Sequence, residues 1–198
     1  WDSRGGEARF TGTFMHAQIE QALLGQPVSS TCPYAYHGTY VNVEKTVDIS
    51  HELQAFRRFV EEQNPLPYRT EWRICDDEHR IAGTIDFLSR NASGQYVMFD
   101  WKRSNKIGIM DTLGSGTFQP CRQNPYHRTA FGLLAHLDDM PYHHYCLQQN
   151  LYRYMLQRHY GIRLDAMYLV VLHPDYDTYH LIPVPVMEPE VRILLSRR

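Results

Sequence analysis

Two apolar runs, each with an aspartate inside it, constrain this chain more than any other feature. GTIDFLSR (83–90) and QYVMFDWKR (95–103) flank the turn-forming cluster at Asn91–Gly94, and read as the arms of a β-hairpin. With a loop from Asn91 to Gln95, Arg90 faces Tyr96, Leu88 faces Met98 and Asp86 faces Asp100. Alternation then puts Asp100 and Lys102 on one face and Phe99 and Trp101 on the other. Directly opposed residues have Cβ atoms roughly 5 Å apart, where like charges repel. Two buried carboxylates held that way need a cation between them. A hard divalent ion, Mg²⁺ or Mn²⁺, suits oxygen ligands of this kind. Lys102 would then orient a water or stabilise charge developing on a phosphate. The alternative is a plain Asp–Lys ion pair at a strand end, and the charges by themselves leave both readings open.

The remaining elements follow from periodicity and breakers. Residues 1–12 read as a loose lead-in, followed by a helix from Thr13, its N-cap, to Leu24, with Gly25 as the stop. Residues 26–47, rich in Pro, Tyr and Ser, read as irregular. SHELQAFRRFVEEQ, from Ser50, is an amphipathic helix ended by Asn64-Pro65. Strands are expected at 69–75, 80–89 and 94–103, a helix at 144–161 with Gly161 near its C-cap, a buried strand at 166–173 and a proline-bearing edge strand at 178–186. The stretch 104–141 lacks sustained periodicity and is expected to be a long loop or insertion. This order predicts an α/β chain, 1–198 as one domain, with a central mixed sheet of about five strands flanked by helices.

Composition narrows function by exclusion. A formal net charge of -2 over 198 residues is not that of a bulk nucleic-acid binder, so any basic surface must be local. No apolar run approaches the roughly 18 residues of a membrane span, and nothing resembles a signal peptide. An intracellular protein without a membrane partner is therefore expected, its compartment open. A start at Trp1 rather than Met suggests a piece of a larger protein, with further domains or protein partners. Cys32, Cys75, Cys121 and Cys146 lack C-x-x-C spacing, which argues against a zinc ribbon and gives little support to an iron–sulfur site.

Asp86 followed by Asp100-Trp101-Lys102 resembles the D…(D/E)-x-K core of the PD-(D/E)XK nucleases, with Ile85 in place of the proline of the namesake motif. Three further stretches resemble the RecB-like and lambda-exonuclease-like branch. Gly12-Thr13-Phe14-Met15-His16 is similar to its G-T-x-x-H helix, Gly83-Thr84-Ile85-Asp86 to its G-x-(I/V)-D strand, and Gln148 to Tyr152 to its Q-x-x-x-Y helix. They occur in the family's order over roughly residues 12 to 173. Similar proteins include RecB-type and lambda-type exonucleases, RecB-like CRISPR-associated nucleases and the mitochondrial genome maintenance exonuclease.

The resemblance implies a restriction-endonuclease-like core and metal-dependent hydrolysis of phosphodiester bonds. Asp86 and Asp100 would ligate Mg²⁺ or Mn²⁺, the Trp101 backbone carbonyl would add a ligand, and His16 would supply an imidazole that tilts preference toward Mn²⁺. Lys102 would position the attacking water. Glu71, Gln148 and Tyr152 would support the site, and Glu20, one turn beyond His16, reads as solvent-facing or as a partner to that histidine. Lys102, Arg103, Lys106, Arg122 and Arg128, interleaved with Phe118, Tyr126 and His127, suit a single strand through phosphate contacts and stacking. Among the basic residues, Arg103 and Lys106 are the expected substrate contacts. In the family the link carrying them is much shorter, so this insertion could instead dock a partner or remain disordered. His143, His144, His159 and His173 show no ligand spacing and read as structural or surface residues. DNA is favoured as substrate, at ends or single strands. The competing readings are an RNA endonuclease of the cap-snatching kind and a non-catalytic nucleic-acid-binding or scaffolding module.

Overall fold

The computed structural model describes residues 2–38, 42–91, 93–110, 118–121, 124 and 126–196, with side chains described from Gly5 onward. Its elements run α1 (Asp2–Leu23), β1 (Thr31–His37), β2 (Asn42–Asp48), α2 (Ser50–Gln63), β3 (Pro67–Asp76), β4 (Ile81–Arg90), β5 (Tyr96–Lys102), β6 (Gly108–Met110), β7 (Phe118–Pro120), a 3-10 turn at Gly132–Leu134, α3 (Pro141–Tyr160), β8 (Leu164–Val171), β9 (His180–Pro183) and α4 (Glu188–Ser196).

The central sheet has five strands in the order β3-β4-β5-β8-β9. The strands β3, β4 and β5 are antiparallel neighbours, β8 lies parallel to β5, and β9 is antiparallel to β8. A parallel pair needs a long crossover, and α3 lies within the one between β5 and β8. The chain is thus α/β with a mixed sheet flanked by helices. The expected hairpin register holds, since Arg90 pairs with Tyr96 and Leu88 with Met98. As expected of its prolines, β9 is a short edge strand.

Alternation sorts the core into two layers. On one face Leu88, Met98, Met167 and Leu169 pack with Cys146, Tyr152, Met155 and Leu156 of α3. On the other, Phe87, Phe99, Trp101 and Val170 pack with Met15 and Ile19 of α1 and Leu53, Phe56 and Phe59 of α2. The α2 helix buries its apolar stripe and stops at Asn64, whose left-handed backbone is the C-cap. Gly161 caps α3 in the same way at φ 66, a conformation that costs glycine least.

Three expectations are corrected. The lead-in is helical: α1 begins at Asp2, and Thr13 lies inside it, its hydroxyl donating to the Arg9 carbonyl at 3.1 Å. The reason is tertiary. The Phe10 ring meets Tyr34 at 5.0 Å and Glu7 pairs with Lys45 at 2.6 Å, so a β-hairpin holds the first half of the helix. That hairpin is the second correction, because β1 and β2 pair antiparallel across the stretch read as irregular. Pro33 hides the alternation, yet Tyr34 and Val47 are buried. Third, the stretch 104–141 contains the β6–β7 pair and the 3-10 turn, while Ile107, Leu134, Leu137 and Met140 join the α3-side core. Packing, not periodicity, places these described residues. The four cysteines are free thiols, with Cys121 and Cys146 buried.

Candidate metal centre

The hairpin strands stop pairing at Phe87–Phe99, one residue before the two aspartates. The strands part there, and the gap lies at the carboxyl end of β5, a usual ligand position in α/β sheets. Asp86 and Asp100 are nonetheless buried, at 8% and 3% exposure. The Asp86 carboxylate accepts the Trp101 backbone N–H at 2.9 Å. Asp100 accepts from the Gln149 side-chain amide at 2.8 Å and pairs with the Lys102 ammonium at 2.5 Å.

His16 reaches the same point from α1. Its Nε2 lies 3.0 Å from the Trp101 carbonyl oxygen, and as donor there it leaves Nδ1 facing Asp86 at 3.5 Å and Glu71 at 3.8 Å. A backbone carbonyl that fixes an imidazole's tautomer is how histidine ligands are commonly oriented. The Trp101 carbonyl, expected as a metal ligand, is here the partner of His16 Nε2. The carboxylates beside His16 are Glu71 and Asp86, so these and not Glu20 are the partners to consider. Ligand-capable atoms of His16, Glu71 and Asp86 lie within 4.8 Å of one another. Glu71 also holds a left-handed backbone, φ 45, which costs a residue with a side chain and persists where the surroundings impose it.

The electrostatics describe a site with surplus negative charge. Burial opposes a charge on His16, but the facing carboxylates of Asp86 and Glu71, with the field of Asp100, outweigh it and raise its pKa to about 10. Burial pushes the Asp100 carboxyl up to about 6, with Lys102 pulling it down and Asp86 pushing it further up. Lys102 itself rises despite burial, because Asp100 faces it. An imidazolium among carboxylates occupies a position that suits a divalent ion, and the N and O donors present match Mg²⁺ or, better, Mn²⁺. The residues fit the expected metal.

This sets a pH dependence. With a folded-state value near 10 against an ordinary 6.5, His16 contributes stability to the metal-free chain that is complete below the lower value and lost as pH rises through the upper one. Metal binding must displace that proton. Mn²⁺ affinity should therefore rise up to about tenfold per pH unit between roughly pH 7 and 9. In His16→Ala the slope should flatten, as read by titration calorimetry in buffers of different ionisation heat. An equally steep slope in the variant would remove His16 from the site.

Helix α3 completes the arrangement. The Gln148 amide donates to the Tyr152 hydroxyl at 3.0 Å, so that expected pair forms. The residue touching Asp100 is the neighbouring Gln149, and Tyr145 lies under the Lys102 ammonium, 4.1 Å from the ring centre to Nζ. Neither was singled out from sequence. The signal was present, because Tyr145, Gln149 and Tyr152 follow the i, i+4, i+7 spacing of one helical face. Gly83 has a steric role toward this helix, since a Cβ there would lie 2.3 Å from the Tyr152 ring. Gly83→Ala should displace that ring and destabilise the fold by about 1–3 kcal/mol, measurable by urea denaturation. An unchanged midpoint would show that the ring moves aside at no cost.

The expected substrate contacts divide. Arg103 is held by the buried Glu52 of α2, with Nε at 2.6 Å from the carboxylate, while Lys106 is exposed. Phe118 is not a free stacking platform, since its ring stacks on His180 at 4.1 Å. Tyr126 is 79% exposed and carries the Arg128 guanidinium 5.5 Å above its ring. Arg122 lies outside the described residues.

The chain matches no family model and no curated protein. Among solved structures it is similar to one described as "Crystal structure of SSO0001", at 18% identity and a TM-score of 0.35, the match covering 73% of this chain and 54% of that one. The chain thus spans about half the length of that protein, and a likeness this shallow carries no argument about function. Among the described residues, no helix is long and apolar enough to cross a membrane.

Proposed function

We propose that this chain is a Mg²⁺- or Mn²⁺-dependent nuclease that hydrolyses phosphodiester bonds of DNA, with a preference for ends or single strands. The observation that carries this reading is the meeting of Asp86, Asp100, Lys102, His16 and Glu71 at the carboxyl end of β5. Residues far apart in sequence, and resembling the motifs of one nuclease superfamily, face the same point. The β3–β4–β5 meander, α3 crossover and parallel β8 also agree with the core that the resemblance implies.

Asp86, Asp100 and the His16 Nδ1 would hold the metal, with Glu71 beside them. When bound, such an ion lowers the pKa of a water and offsets charge on the phosphoryl oxygens. The protein's own part is positional. Lys102 stays charged beside Asp100, so it acts as a donor that holds a water or a phosphate oxygen rather than as a base. Gln149 and Tyr145 restrain Asp100 and Lys102 from the helix side. In hydrolysis the water oxygen forms the new bond to phosphorus, the bond to the leaving sugar oxygen breaks, and that oxygen takes a proton. Exposed Lys106, Arg128 and Tyr126 would meet the strand.

The test is digestion of end-labelled single-stranded DNA, double-stranded DNA and RNA in Mg²⁺ and in Mn²⁺. A ladder from one end supports the proposed activity, and internal cuts confined to RNA would favour a cap-snatching type of endonuclease. No cleavage in either metal would leave only a non-catalytic binding or scaffolding module.

A further inference from the structure

A second cluster of ligand-type side chains lies at the opposite end of the β3–β4 hairpin, in the turn CDDEHR (75–80). Asp76 is 1% exposed. Its Oδ2 meets His79 Nδ1 at 2.9 Å and, from the last turn of α3, His159 Nε2 at 3.1 Å. Its other oxygen accepts the His79 backbone N–H at 3.1 Å. Glu78 stands beside them: ligand-capable atoms of Asp76, Glu78 and His79 lie within 4.8 Å of one another. The Glu78 carboxylate is paired with Arg158.

From these residues we infer a second divalent-cation site, of the zinc type, formed by Asp76, His79 and His159 with Glu78 as a fourth ligand. Ligands about 2.0–2.1 Å from one Zn²⁺ stand roughly 3 Å apart, close to the spacing of the two imidazole nitrogens from the Asp76 oxygen. Two neutral imidazoles and two carboxylates carry a charge of -2, and this nitrogen-rich set favours Zn²⁺ over Mg²⁺. His159 is one-third exposed at its side chain and Glu78 half exposed, which gives an ion a path in. Arg158 would have to release Glu78, and His159, which lies outside the 4.8 Å group formed by Asp76, Glu78 and His79, would have to turn toward the ion.

The cluster is separate from the first centre. Asp76 lies five positions beyond Glu71, roughly 16 Å along β3. His159 lies ten positions beyond Gln149, roughly 15 Å along α3. The same two elements span both clusters, so an ion here would fasten the β3–β4 turn to the end of the helix that carries Gln149 and Tyr145. His159, read from sequence as a surface residue, is brought to the turn only by the packing of α3.

The proposal is tested on the untagged chain carrying Asp86→Asn and Asp100→Asn, which removes the first centre's carboxylates. This chain should retain one equivalent of Zn²⁺ after gel filtration, show the visible absorption of four-coordinate Co²⁺, and melt at a higher temperature with Zn²⁺ than with chelator. Adding His79→Ala or His159→Asn should abolish all three, with circular dichroism confirming that the fold is kept. If the two aspartate changes impair folding, His79→Ala in the wild-type chain should lose one equivalent and leave one. The site is overturned if the aspartate variant binds no Zn²⁺, or if both histidine variants keep it. Because the readouts are metal content, absorption and melting, they stand apart from nuclease activity.

Discussion

Asp100→Asn should lower cleavage by at least about 10³-fold while leaving the fold intact. Asparagine has nearly the same shape, and its side-chain oxygen can still accept the Gln149 amide that now reaches Asp100 at 2.8 Å. What is lost is one negative charge in a site where Asp86, Asp100 and Glu71 together hold positive partners. Metal affinity and the anchoring of Lys102 should fall together, since the ammonium pairs with Asp100 at 2.5 Å. Lys102→Ala should reduce single-turnover cleavage by a similar order at saturating Mn²⁺, because removing one member of a concerted set costs nearly as much as removing several. The measurement is single-turnover cleavage of a labelled single strand, with the melting temperature of each variant recorded alongside. Variants that cut within a few-fold of the parent would sink the catalytic reading and return the Asp100–Lys102 contact to a plain ion pair.

The largest stability loss is expected at Phe59. Its side chain is fully buried, with ring centres 5.2 Å from Phe99, 5.4 Å from Trp101 and 5.4 Å from Tyr179. Phe59→Ala should cost about 3–5 kcal/mol, the lost transfer energy plus the cavity left in a packed layer. That is a large share of the roughly 5–15 kcal/mol that stabilises a typical domain. The void would open beside Trp101, whose backbone N–H binds Asp86 and whose carbonyl meets His16, so metal affinity should drop with stability. Leu133→Ala is the control: this side chain is 72% exposed, and its removal should change stability by no more than about 0.5 kcal/mol. Urea denaturation of the two variants decides the matter. A Phe59→Ala loss below about 1 kcal/mol would mean that the layer collapses onto the gap.

Local rules carried the reading furthest where pattern and tertiary environment agree. The stripe of α2 and the apolar strands β4, β5 and β8 were legible because the same residues that favour those elements are the ones buried in them. The hairpin register followed from the turn alone, and it holds as far as Phe87–Phe99, beside the two aspartates. Reading failed where stability comes from elsewhere. Residues 2–12 contain a Gly-Gly pair and a weak helical pattern, yet form α1 because Tyr34 and Lys45 of the β1–β2 hairpin hold them. The stretch 104–141 has no period of its own, but Ile107, Leu134 and Leu137 find places in the α3-side core.

The candidate centre divides along the same line. Sequence by itself determined that two aspartates and a lysine would share one hairpin face, since strand alternation and turn geometry act over a few residues and need no distant partner. It also singled out His16 and Glu71, although only by resemblance. Tertiary structure alone decided that Gln149, and not Gln148, meets Asp100, that Tyr145 underlies Lys102, that Glu52 captures Arg103, and that His159 joins Asp76 and His79. Each of these contacts depends on the rotation and depth at which a helix seats on the sheet. A shift of one residue in a helix turns its side chain by about 100°, and the packing of two whole layers sets that angle.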